Sequence, residues 1–169
     1  MTFWRNYYHI VWSTKYREEL ITEELEAKLY AYIISKAKEL GVFIYAINGW
    51  SDHIHIVCAI PPKLSVSEVV QKLKGASSHQ VSHIIQPEVG GFKWQRGYGC
   101  LSVGEKQRPI AEAYVSNQKK HHAENTTNAW LETASEYDEG PTDVKILAET
   151  QEVKENQASY TTINDRYPF

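Results

Sequence analysis

The spacing of hydrophobic and polar positions changes several times along this chain, and each change marks an element. Residues 3–14, Phe-Trp-Arg-Asn-Tyr-Tyr-His-Ile-Val-Trp-Ser-Thr, are aromatic and β-branched without a breaker, which predicts a strand. Lys15-Tyr16-Arg17 forms a basic exit from it. From Thr22, a helix N-cap followed by Glu23 and Glu24, the apolar positions Leu25, Leu29, Tyr32, Ile33 and Ala37 recur at three and four residues. This predicts an amphipathic helix ended by Gly41. Residues 42–50 predict a second strand, joined to residues 52–60 by Gly49 and Ser51-Asp52 as an antiparallel hairpin. Within 52–60 the alternation places Ile54, Ile56, Cys58 and Ile60 on a core face and His53 and His55 on the other. Pro61-Pro62 closes that strand, and residues 65–83 predict a second helix with Val66, Val69, Val70, Leu73 and Ala76 as its stripe. A loop punctuated by Pro87, Gly90, Gly91 and Gly97 leads to a short strand at 98–103, and Arg108-Pro109 opens a third helix over 110–122.

Strand, helix, strand, strand, helix, strand is the order of the ferredoxin-like split β-α-β arrangement, an α+β fold. It predicts a four-stranded antiparallel sheet with two helices on one face. The third helix then covers part of the open face, toward which His53 and His55 point. At residue 124 the character changes, so the expected organisation is a folded body over 1–123 and an acidic C-terminal tail over 124–169. The tail is expected to be partly ordered or disordered, with Trp130, Leu131, Tyr137, Ile146, Leu147 and Tyr167-Pro168-Phe169 as its available anchors.

Composition adds one asymmetry. The net charge of −3 conceals a body with 15 Lys+Arg against 11 Asp+Glu and a tail with 3 against 10. A mildly basic body permits a nucleic-acid partner without demanding one. No apolar run approaches the roughly 18 residues of a membrane span, and the N-terminus lacks the layout of a signal peptide, so a cytoplasmic protein is expected. Cys58 and Cys100 both fall in strand-like runs and read as a reduced, buried pair.

The candidate chemistry lies on the histidine face. Two histidines one residue apart on a strand can ligate a metal, although the spacing alone is a weak signal. Tyr114 and Gln118 stand four residues apart on the third helix and share a face. With that helix over the sheet, the amide oxygen of Gln118 can join His53 and His55 around a divalent ion. Such a mixed shell suits Mg²⁺ or Mn²⁺ more than a closed zinc site. Tyr114, aimed at the same centre, is then a candidate nucleophile toward a phosphodiester. Taken by itself, however, it reads first as an amphipathic-helix tyrosine resting on the sheet. Lys15, Arg17, Lys72, Lys74 and Arg96 stand near Trp12, Trp94 and Tyr98 and are candidates for phosphate contact with base stacking. His121 and His122 read as cations at a helix C-terminus, and His9 as a sheet histidine with a satisfied ring. His79 and His83 lack the glutamate that a zinc-protease helix places between them.

His53-Ile54-His55 followed by Tyr114-Val115-Ser116-Asn117-Gln118-Lys119-Lys120-His121-His122 resembles the HUH single-tyrosine transposases of bacterial insertion sequences, including relatives associated with repeated extragenic palindromes. Trp12-Ser13-Thr14-Lys15-Tyr16-Arg17, Gln71-Lys72-Leu73-Lys74-Gly75 and Trp94-Gln95-Arg96-Gly97-Tyr98-Gly99 extend the resemblance over roughly residues 5–123. It implies metal-dependent cutting and rejoining of single-stranded DNA beside hairpins, through a 5′-phosphotyrosine intermediate. Carried over residue by residue, it implies Tyr114 as nucleophile and His53, His55 and Gln118 as ligands of Mg²⁺ or Mn²⁺. It also implies a homodimer in which the tyrosine helix can serve the partner copy. The competing expectation is a non-catalytic, domesticated single-stranded nucleic-acid binder on the same fold.

Overall fold

The structure, a computed structural model, describes residues 2–87, 91–135 and 140. The chain divides into two units, 1–137 and 138–169, and the sheet and its helices belong to the first. The expected anchors Tyr137, Ile146, Leu147, Tyr167, Pro168 and Phe169 lie outside the described residues.

Strands β1 (Tyr7–Ser13), β2 (Phe43–Trp50), β3 (His53–Ala59) and β4 (Gly99–Val103) form one antiparallel sheet in the order β2-β3-β1-β4. Helices α1 (Glu23–Glu39) and α2 (Val66–Gln80) connect them in the split β-α-β manner. Thr22 caps α1 by accepting from the Leu25 N–H, and Ser65 caps α2 by accepting from the Glu68 N–H. Gly41, at φ +76°, ends α1: its N–H reaches the Lys38 carbonyl and the Val42 N–H reaches Ala37. The helix face of the sheet contributes Ile10, Trp12, Ile54, Ile56 and Cys58 to the core, against Leu25, Leu29, Ile33 and Ala37 of α1 and Val69, Val70 and Leu73 of α2.

The third helical region covers the opposite face, packing on β2 and β3. It is two helices rather than the single one expected, α3 (Arg108–Ser116) and α4 (Gln118–Ala123), broken at Asn117. The Asn117 Nδ2 donates to the Ala113 carbonyl at 2.8 Å, so the side chain competes with the backbone ladder at the break. Two further expectations change. Trp12 and Trp94 are core residues, 0% and 9% exposed and packed edge to face, with the Trp94 indole N–H on Ser77 Oγ; Trp12 offers no ring for base stacking, whereas Trp94 lines the groove beside β1. Both cysteines are reduced as expected, but only Cys58 is buried, because Cys100 lies on the edge strand β4. No helix among the described residues is long and apolar enough to cross a membrane.

Because helices cover both faces of the sheet at β3, every residue of that strand is buried, His53 and His55 included. The hairpin that presents it is tight: a Cβ at Gly49 would lie 2.1 Å from the His53 carbonyl oxygen and 2.7 Å from the Ile54 Cα. Gly49→Ala is therefore expected to destabilise the protein by about 2 kcal/mol, lowering the melting temperature by roughly 6 °C in circular-dichroism melts. Gly75→Ala, where a Cβ meets nothing within 4 Å, serves as the control. Equal melting temperatures for the two variants would contradict the tight-hairpin account.

Candidate metal and tyrosine site

On the covered face, pairing of β1 with β3 sets Ser13 opposite His53, Val11 opposite His55 and His9 opposite Val57. These side chains share one surface, and three of the shared positions are histidines. The outward nitrogen of each β3 histidine has a partner. His53 Nδ1 lies 2.6 Å from Asp52 Oδ1, and His55 Nδ1 lies 2.9 Å from His9 Nε2. Both Nε2 atoms consequently face a common centre, the orientation that supporting hydrogen bonds impose on ligating histidines.

The centre contains a group that sequence reasoning missed. Glu132 Oε2 lies 3.1 Å from His53 Nε2 and 3.0 Å from His55 Nε2, and its Oε1 accepts the Tyr114 hydroxyl at 2.5 Å. The Gln118 Nε2 donates to the same oxygen at 3.4 Å. His122 Nε2 lies 3.2 Å from His53 Nε2, its ring stacked on Trp50, and His121 stacks on Tyr114. His121 and His122, read first as helix-end cations with DNA or metal contact as the alternative, therefore line the site. His9 is more than a satisfied sheet histidine, since it orients His55. The Tyr114 ring lies 6.2 Å from that of His55 in the same chain.

Glu132 arrives by a chain reversal after α4. Asn125 takes φ +53°, its N–H bonds the His122 carbonyl, and the Thr126 N–H bonds His121, the pattern of a left-handed helix stop. The Asn128 N–H then donates to the Tyr114 oxygen at 3.0 Å. A lone glutamate in an acidic stretch gave no sign of this, and the polar run Asn125-Thr126-Thr127-Asn128 was the only local hint of a turn.

The electrostatics follow from burial and these contacts. Burial alone would raise the Glu132 carboxyl, yet His53, His55 and Tyr114 hold it far below the usual carboxylate range. Burial opposes a charged His53, but Asp52 and Glu132 outweigh it and raise the imidazole above its ordinary value. At His55 and His122 burial prevails and the shift is downward. Burial and Glu132 together push the Tyr114 hydroxyl up.

Do these residues fit a divalent ion? Gln118 is fully buried, and its Oε1 has no hydrogen-bond partner among the described residues. Gln118 turns its amide nitrogen to Glu132, and a buried amide oxygen left unsatisfied is costly, a cost that a cation bound through a turned amide would relieve. The donor set of imidazole, carboxylate and amide oxygen suits a hard or borderline ion. His53, His122 and Glu132 by themselves bring one ligating atom each within 4.8 Å of one another.

The basic candidates divide. Lys15, Lys74 and Arg96, with Lys93 and Tyr98, line a groove of about 590 Å³ beside the end of β1. Lys74 Nζ donates there to the Arg96 and Gly97 carbonyls. Arg17 instead pairs with Asp52, and Lys72 with Glu68 on the surface of α2. Tyr16, which lines the groove, and Arg17 after it both take left-handed backbone angles, φ +58° and +53°. His79 and His83 stack on each other away from these groups, with His83 Nδ1 on the His79 carbonyl.

Comparisons with known proteins agree with one another. The family model described as "Transposase IS200 like" matches residues 2–118. The transposase of insertion sequence element IS200 from Salmonella typhimurium is 31% identical over 125 residues, spanning 69% of this chain and 79% of that protein. The ISDra2 transposase TnpA of Deinococcus radiodurans is 27% identical over 116 residues, 66% of this chain and 82% of that one. A solved REP-associated tyrosine transposase bound to a REP hairpin shares the fold with a TM-score of 0.54 at 15% identity, over 77% of this chain and 76% of its own.

The His9 contact has a consequence for stability in the metal-free protein. Burial, then the neighbouring His55, lower His9 from 6.5 to about 4 despite the opposing pull of Glu132. As pH falls from 6.5 toward 4, the unfolded chain takes up a proton at this position that the folded chain does not, so stability is lost across that window and not above it. Urea denaturation of metal-free protein from pH 7 to 4 should fall more steeply for the parent chain than for His9→Asn. Parallel profiles would show that His9 stays uncoupled from folding.

Proposed function

The chain belongs to the IS200-like transposase family, and from that premise we propose that it cuts and rejoins single-stranded DNA at hairpin-flanked sites through a phosphotyrosine intermediate, with His53, His55 and Gln118 holding a divalent ion. The observation that carries the reading is the convergence of the Tyr114 hydroxyl and the two inward Nε2 atoms on the Glu132 carboxylate, with the buried Gln118 side chain beside it. When bound, Mg²⁺ or Mn²⁺ would polarise the scissile phosphate and stabilise the charge that develops on it.

The protein's own groups supply the rest. Tyr114 Oη attacks phosphorus, forming a tyrosine–phosphate ester as the bond to the 3′ oxygen breaks, and that oxygen leaves as a 3′-hydroxyl once protonated. Glu132 accepts the Tyr114 hydroxyl hydrogen bond and so orients it, while the proton released by the tyrosine and the one taken up by the 3′ oxygen are exchanged with water. Asn128 N–H and the ring of His121 fix the tyrosine from its other sides. The ester conserves the energy of the broken bond, so a free 3′-hydroxyl can reverse the step and join strands. Lys15, Lys74 and Arg96 in the groove are the backbone contacts for the strand, with Tyr16, Trp94 and Tyr98 as aromatic residues of its lining. Arg17 and Lys72 are secondary, because each already neutralises a carboxylate. A protein of the same fold carries a REP hairpin, which supports a hairpin as the substrate here. For assembly we favour a homodimer, in which Tyr114 can act on its own chain's centre, as placed, or on the partner's.

Incubation with Mn²⁺ and a labelled hairpin-bearing single strand should give a covalent protein–DNA adduct resolvable on a denaturing gel. Tyr114→Phe should abolish it, and His53→Ala should lower its rate by about a hundredfold or more. An adduct undiminished in Tyr114→Phe would remove Tyr114 from the chemistry. Normal binding with no adduct on any hairpin would favour the non-catalytic binder.

A further inference from the structure

We propose that Glu132 is itself a ligand of the divalent ion, completing a two-histidine, one-carboxylate set with His53 and His55; this rests on the metal reading above. The first argument is distance. Donor atoms about 2.1 Å from one ion and at right angles to each other are separated by about 3.0 Å. Glu132 Oε2 stands 3.1 Å from His53 Nε2 and 3.0 Å from His55 Nε2, so the carboxylate oxygen has the spacing of an adjacent ligand to each histidine, and it falls with His53 and His122 in a group whose ligating atoms lie within 4.8 Å of one another.

Charge gives the second argument. Two neutral imidazoles and an amide would leave both positive charges of the ion uncompensated in a site whose His53, His55 and Gln118 are buried. A carboxylate neutralises one of them, and the pairing lessens the cost of burying the charge. Gln118, whose amide nitrogen donates to the other carboxylate oxygen, keeps its own oxygen open.

Placement is the third. The segment that carries Glu132 is fixed by contacts independent of its carboxylate: the Asn125 reversal, the Asn128 bond to Tyr114, and a bond from Gln95 Nε2 to the Ala134 carbonyl. It also passes so close to β4 that a Cβ at Gly99 would lie 2.0 Å from the Thr133 carbonyl oxygen. Glu132 is thus delivered to the centre by its backbone rather than drawn in as a loose acidic arm. It lies beyond residue 118, where the family match ends, so the ligand comes from the part of this chain that the family pattern does not describe.

The test is calorimetric titration of Mn²⁺ into the metal-stripped full chain, with melting temperatures measured with and without the ion. Glu132→Gln and Glu132→Ala should bind Mn²⁺ at least about tenfold more weakly and lose most of the ion-induced rise in melting temperature. His53→Ala should do the same and reports on the metal site itself. If His53→Ala weakens binding while both Glu132 variants bind as tightly as the parent chain, or more tightly, the carboxylate is a stand-in for the ion and the proposal is overturned. If the parent chain binds no Mn²⁺, the metal reading falls and takes the proposal with it. Melting of the metal-free variants separates a lost ligand from a lost fold.

Discussion

Everything at this site depends on a strand that is covered on both sides. β3 is flanked by β2 and β1 and roofed by α1 and α2 on one face and α3 and α4 on the other, so its two imidazoles cannot turn to water. A buried imidazole needs a partner for each nitrogen or it costs the fold about as much as a lost hydrogen bond. The protein supplies Asp52 and His9 on the outward nitrogens and directs both inward nitrogens at one point. Stability and function are served by the same contacts, because the hydrogen bonds that make burial tolerable also aim the ligands.

Much of the fold was legible in the sequence because period-two alternation and three-four spacing are themselves the physics of burial. The hairpin, the cap at Thr22, the stop at Gly41 and the core face of the histidine strand all follow from local rules, and the structure has each of them. Resemblance then tied His53 and His55 to Tyr114 and Gln118, which the fold brings near one centre. The break at Asn117 was not legible, since an asparagine in a helix-compatible run signals little until its side chain finds a carbonyl. Trp12 was misread for a related reason. An aromatic beside a cation fits a nucleic-acid surface and a sheet core equally well, and only packing in the core distinguishes them.

Glu132 was the largest omission. Its role depends on a left-handed turn at Asn125 and on a segment that passes close to Gly99, and neither leaves a periodic trace. Four histidines, a tyrosine, a glutamine and this carboxylate form one connected network, in which each pKa shift is set by burial and by neighbours within the network. Such a network resists assignment residue by residue, because removing any member changes the protonation of the others.

The glycine at 99 gives the site an unusual dependency. Its missing side chain is the clearance through which the Thr133 carbonyl passes, one residue from the carboxylate at the centre. A single added carbon on the edge strand would act as a steric lever, displacing the arm without altering any polar group of the site. The chemistry is therefore sensitive to the shape of a surface strand that bears none of it, and a chain that kept every reacting residue could still lose the geometry through one methyl group.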